Sequence, residues 1–139
     1  APADVLDLWH FGGVAVSPDG RHAAYGEQSG HGLVVVHRDG AKSINWKQEE
    51  TFWPLDPAWT PDSRQIAFEG RARFDNCRGL WILDVPNLHH AVLARGPLSN
   101  PAWSPDGSKL SFDLELRTGY CEIWTVPTAK IGNVRSVQP

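Results

Sequence analysis

Methionine is absent from the chain, cysteine occurs only twice, and no run approaches 18 consecutive apolar residues. The last absence excludes a bilayer-spanning helix. Charge is also scarce and evenly mixed: 13 Lys and Arg against 16 Asp and Glu give a formal net charge of −3. No basic field therefore favours nucleic acid or an anionic membrane. Position 1 is Ala rather than Met, so the expectation is a chain whose initiator has been removed. Ala1-Pro2-Ala3-Asp4 would suit a mature terminus left by signal peptidase, which predicts a secreted or periplasmic protein, with the cytoplasm as the alternative. Several chemical signatures are missing too. No nucleophile elbow, His-Glu-x-x-His, phosphate loop or Cys-x-x-Cys is present, and His22, His31 and His37 are too scattered for a zinc site.

What the chain does have is a stretch written three times. Asn100-Pro101-Ala102-Trp103-Ser104-Pro105-Asp106-Gly107 leads into Leu110-Ser111-Phe112. An earlier copy runs Asp56-Pro57-Ala58-Trp59-Thr60-Pro61-Asp62-Ser63, then Ile66-Ala67-Phe68. A looser one has Val16-Ser17-Pro18-Asp19-Gly20 and ends on Tyr25. Ser17, Thr60 and Ser104 are 43 and 44 residues apart, and a fixed period of that size signals repeated supersecondary units. In each copy an apolar run meets a turn whose proline presets φ and whose Ser or Thr bonds back to the turn backbone. A second run leaves it with apolar residues on alternate positions, as a half-buried strand requires. A third strand follows in each unit: Leu33-Val36, Leu80-Leu83 and Ile123-Val126. A further turn and a weaker fourth strand complete the unit. Four antiparallel strands in about 40 to 45 residues make one blade of a β-propeller.

The pattern W-S-P-D-G-x-x-L/I-x-F followed by I/L-W-x-V/L resembles the TolB-type propeller repeat, a relative of the WD repeats. The resemblance runs from about Gly13 to Val137. The second and third copies match well, whereas the first has Val16 and Val34 where Trp59, Trp103, Trp81 and Trp124 stand. The tryptophans are read as residues packing blade on blade. The expected fold is all-β: a single domain of three four-stranded blades, about 12–50, 51–95 and 96–139, after a lead-in over 1–11. Asn133 to Val137 would be the fourth strand of the last blade.

Propellers close with roughly four to eight blades, and three leave two apolar faces open to water. Two copies joined head to tail would give one six-bladed ring, a homodimer with the commonest closed symmetry. The alternative is a piece of a longer propeller. Cys77 and Cys121 open the third strands of neighbouring blades, each 15 residues after its turn aspartate, Asp62 or Asp106. A disulfide between them and two free thiols are both open readings.

Length, charge and aromatics concentrate in the loops of one face, where binding on a rigid scaffold usually lives. The loops leading into first strands hold His10, Phe11, Trp53, Asp56 and Asn100; those joining second to third strands hold Arg71, Arg73, Phe74, Arg117 and Tyr120. These are the ligand-binding candidates, save His10. Gly13, Asp56 and Asn100 are equivalent positions that would ring a channel, where oxygens could hold a cation or a ligand's hydroxyls, or simply cap the turn before proline. No other cofactor is called for. His10, Glu69 and Asp113 are the candidates for acid/base work, the two carboxylates being equally able to pair with Arg71, Arg73 or Arg117. The residues thus point first to a module binding a small molecule, sugar or protein segment at the channel mouth. An enzyme acting on a small organic molecule in the channel is the second reading, and a purely structural subunit the third.

Overall fold

A computed structural model describes residues 11–27, 32–40, 43–47, 52–72 and 78–129. The first sheet holds β1 (Phe11–Val16), β2 (His22–Glu27), β3 (Gly32–His37) and β4 (Ser43–Lys47) in sequence order. The second repeats this with β5 (Phe52–Trp59), β6 (Gln65–Ala72), β7 (Arg78–Asp84) and β8 (His89–Arg95). The third contains β9 (Leu98–Trp103), β10 (Lys109–Glu115) and β11 (Cys121–Pro127). All neighbouring pairs are antiparallel, each strand joined to the next in sequence. The architecture is all-β, three blade-like sheets packed in succession. The lead-in up to His10 and the strand expected at 133–137 lie outside the described residues.

The repeated turn explains why each blade starts alike. Ser17 Oγ donates to Asp19 Oδ1 at 2.6 Å and accepts the His22 N–H at 2.9 Å. Thr60 does the same with Asp62 and Gln65, and Ser104 with Asp106 and Lys109. One hydroxyl therefore ties the proline turn to the first residues of the returning strand. The fourth turn residue is left-handed in all three blades, with φ of 71° at Gly20, 60° at Ser63 and 73° at Gly107. Glycine takes that conformation without strain. Ser63 does not, but its Oγ accepts the Asp19 N–H at 3.1 Å and so links the first two blades.

Two apolar layers hold the sheets together. Between the first and second blades, Ala24, Leu33, Val35 and Trp46 pack against Trp59, Ile66, Phe68 and Leu83. Between the second and third, Ala67, Leu80 and Leu93 meet Leu98, Leu110, Phe112 and Leu114. Trp59 and Trp103 stand in these seams and bond backward across them, to the Ala15 and Ala58 carbonyls, each at 3.1 Å. The layers follow from strand alternation: successive residues of one strand point to opposite faces, so the second sheet feeds both layers and the first and third feed one each.

Several expected loops are strand instead. Trp53 and Asp56 lie within β5, Asn100 within β9 and Arg71 within β6, while Phe11 opens β1 rather than closing a lead-in. The first strand of each blade continues past a local irregularity that the sequence pattern reads as its beginning.

Candidate functional site

That irregularity builds the site. The pairing of first and second strands shifts register between Phe11 and Val14, between Leu55 and Ala58, and between Ser111 and Asp113 opposite Ser99 to Ala102. A residue with positive φ stands at the same place each time: Gly13 at 105°, Asp56 at 50° and Asn100 at 51°. A bulge with one left-handed residue re-aims the side chains beside it. Glycine adopts that backbone freely, and Asp and Asn are the other residues that visit it at low cost. The three residue types are thus accounted for by one backbone requirement.

The three bulges converge on a recess of about 340 Å³. Gly13, Asp56 and Asn100 line it, with Val14, Pro57 and Pro101 beside them and Ala102 at one side. Asp56 Oδ1 lies 3.3 Å from where a Cβ on Gly13 would stand, so the glycine leaves room for that carboxylate. Asn100 Nδ2 donates to Asp113 Oδ2 at 2.8 Å, which fixes the amide and places a second carboxylate next to it. Burial pushes the Asp56 carboxyl above its ordinary 3.8; the Glu69 charge adds to this and Arg71 opposes it.

Glu69 is 1% exposed and is tied to arginines rather than free to act as a base. Its Oε1 accepts from Arg71 Nε at 2.6 Å and from Arg78 Nη2 at 3.3 Å. Arg78 also donates to Glu115 of β10 through Nη1, so the cluster bridges the second and third blades. Sequence reading missed Arg78. Its signal is the cross-strand pairing of Arg71 with Arg78, invisible until the β6–β7 register is known.

The other candidates do not join the recess. Trp53 is half-buried on β5, opposite Arg71. Arg117 and Tyr120 are exposed on the β10–β11 turn, where Leu116 N–H donates to the Tyr120 carbonyl at 2.8 Å. Phe11 is described by its backbone alone, and His10, Arg73 and Phe74 lie outside the described residues. Cys121 is an exposed free thiol, while Cys77 is also outside them. Among the described residues no group of three His, Cys, Asp or Glu side chains could hold a metal ion, and no helix is long and apolar enough to cross a membrane.

No protein-family model and no curated protein matches the chain. Solved structures do. A TolB from Agrobacterium tumefaciens superposes with a TM-score of 0.70 at 21% identity, over 84% of this chain and 42% of that one. The fold is that of a TolB-like β-propeller. The propeller domain of the Trilobed protease from Pyrococcus furiosus gives 0.67 at 15% identity, covering 88% of this chain and 40% of that one. Dipeptidyl peptidase 4 from Porphyromonas gingivalis gives 0.69 at 11%, covering 87% and 24%. The TolB-like chain therefore spans less than half the length of each of these structures, and shares with them its propeller architecture.

Proposed function

We propose that this TolB-like chain is a ligand-binding propeller module that takes a small molecule, sugar or protein segment at the recess of its three first strands. One observation carries the reading. Three repeats place their left-handed bulge residues, Gly13, Asp56 and Asn100, around a single concavity instead of dispersing them. Concave, partly apolar recesses with a few convergent polar groups are where ligands bind. The alternative of an enzyme in the channel is weakened because Glu69, a candidate base, is committed to Arg71 and Arg78.

Ring completion by a second copy belongs to the same proposal. The register makes Leu33, Leu80 and Ile123 equivalent, opposite Gly26, Glu69 and Asp113. The first two are 0% and 1% exposed beneath the next blade, whereas Ile123 is 80% exposed. On the opposite end Val14 and Val16 are also exposed. Head-to-tail docking of two copies covers both faces with the kind of contact already used between blades. Export from the cytoplasm goes with the TolB-type resemblance and is checked by cell fractionation.

A fluorescence thermal-shift screen over sugars, short peptides and metabolites tests the binding reading, since a ligand that binds only the folded state raises the melting temperature. A hit whose shift disappears in Asn100→Gly, which keeps the left-handed backbone while removing the amide, supports it. Hits unaffected by substitutions at Asp56 and Asn100 would remove the recess from the account. Solution mass tests closure: twice 15.4 kDa is expected.

A further inference from the structure

We propose that the recess is selective for a protonated amine or guanidinium carried on a short apolar stem. This rests on the recess being the binding site. Its lining carries one carboxylate, Asp56, and one carboxamide, Asn100, but no Lys, Arg, His, Ser or Thr. The residues following Asp56 and Asn100 are Pro57 and Pro101, which have no backbone N–H to offer. One Asn100 N–H is taken by Asp113, which leaves the carbonyl oxygen and a single N–H of that amide for a ligand. Acceptors thus predominate. Among the described residues, Arg71 is the cation whose charge reaches Asp56, and it is held by Glu69, which Arg78 also binds.

Such a lining is satisfied by a donor that brings positive charge. An ammonium offers three N–H donors and a guanidinium five, with no acceptor to clash against carboxylate. A bare calcium ion demands six to eight oxygens, and a single lining carboxylate with one amide falls well short of that. An anion would meet Asp56 and, behind Asn100, Asp113. A neutral diol would leave the Asp56 charge uncompensated while removing more of its water. The proline rings and Val14 supply apolar surface for a stem of a few carbons. The recess of about 340 Å³ corresponds to roughly ten water volumes, enough for such a group and too little for a folded element.

The test titrates the full chain in 0.15 M NaCl with five probes: cadaverine, agmatine, 1,5-pentanediol, glutarate and calcium chloride. Binding is read by calorimetry and by backbone amide shifts. Two variants, Asp56→Asn and Asn100→Ser, are run beside the unmodified chain. Asp56→Asn keeps the shape and a residue type suited to positive φ, and Asn100→Ser guards against a misfolded first variant. The expected result is saturable binding of cadaverine and agmatine, weakened at least tenfold by Asp56→Asn, with shifts centred on residues 13, 14, 56 and 100. Binding of pentanediol, glutarate or calcium alone, lost on the same substitution, overturns the cationic class and leaves the recess standing as a site. Amine binding that both variants retain overturns class and location together. No binding by any probe overturns the proposal as well.

Discussion

The Trp103 indole N–H reaches back one blade to the Ala58 carbonyl at 3.1 Å, repeating the bond from Trp59 to Ala15. Each bond satisfies a first-strand carbonyl of the previous sheet, so the tryptophan serves as both filler and fastener. The next carbonyl in the series belongs to Ala102, which is exposed. Val16 holds the tryptophan's place in the first blade, so a second copy would close the ring through aliphatic contact without this bond.

Replacing Trp103 with Phe keeps much of the ring volume but strands the Ala58 carbonyl. Ala58 is half-buried, so loss of the bond costs about 0.5–1.5 kcal/mol, the net worth of one hydrogen bond. The urea midpoint is expected to fall accordingly for Trp103→Phe and Trp59→Phe. Trp124→Phe, at a residue 41% exposed on β11 and bonded only to the exposed Glu122 carboxylate, should change it little.

Gly26 occupies the position that Glu69 and Asp113 hold in the later blades, and the reason is steric. A Cβ there would stand 1.9 Å from the Pro54 carbonyl oxygen of β5. Backbone cannot yield as a flexible side-chain tip can, so Gly26→Ala is expected to cost about 2–3 kcal/mol as an overpacked seam. Gly20→Ala meets no atom within 4 Å and suffers only its φ of 71°, a loss of about 1 kcal/mol. Thermal unfolding of the two variants side by side reads the difference.

The turn aspartates and Asp56 should titrate in opposite directions. Hydrogen bonds from Ser104 and from the Ser108 N–H and hydroxyl hold the Asp106 carboxyl down at about 2, against an ordinary 3.8. A depressed carboxyl stabilises the fold above 3.8, and that contribution is lost as pH falls through about 2. Asp56 is raised by burial, so its ionisation works against folding as pH rises above 3.8. Carbon-13 titration of the carboxyls should find Asp106 at about 2 and Asp56 above 3.8. Asp56→Asn is accordingly expected to raise the melting temperature at pH 7 by removing a desolvated charge, even as it removes the recess's anion.

These turns were plain in the sequence, because Ser17, Thr60 and Ser104 carry their whole mechanism within six residues. The bulges were not. Asp56-Pro57 and Asn100-Pro101 read as loop ends, yet the partner strand carries pairing past them, and a register shift is a property of two strands together. The equivalence of Gly13, Asp56 and Asn100 was legible from spacing, whereas their shared left-handed φ and common recess required the fold. Arg78 stayed hidden for a related reason: a cation opening a strand looks solvent-facing until the third blade brings Glu115 against it. Glu69, similarly, becomes a buried charge only when β9 and β10 cover the second sheet.

That burial makes the Glu69–Arg78 pair the sharpest test of the seam between second and third blades. Glu69 has a side chain 2% exposed, Arg78 one 25% exposed and Arg71 one 45% exposed. Removing one partner of a buried pair leaves an uncompensated charge and costs about 3–5 kcal/mol. Arg78→Ala is expected to approach that range, because Arg78 also holds Glu115 of the next blade. Arg71→Ala should cost about 1 kcal/mol or less, since its exposed head is replaced by water. Substituting both ends, Glu69→Leu with Arg78→Met, removes the charge and its partner together and should recover most of the loss. Urea denaturation of the three variants at pH 7 decides between a seam fastened by this pair and one held by the apolar layer alone: an Arg78→Ala midpoint equal to the unmodified chain's would assign the seam to Leu80, Leu98 and Leu110.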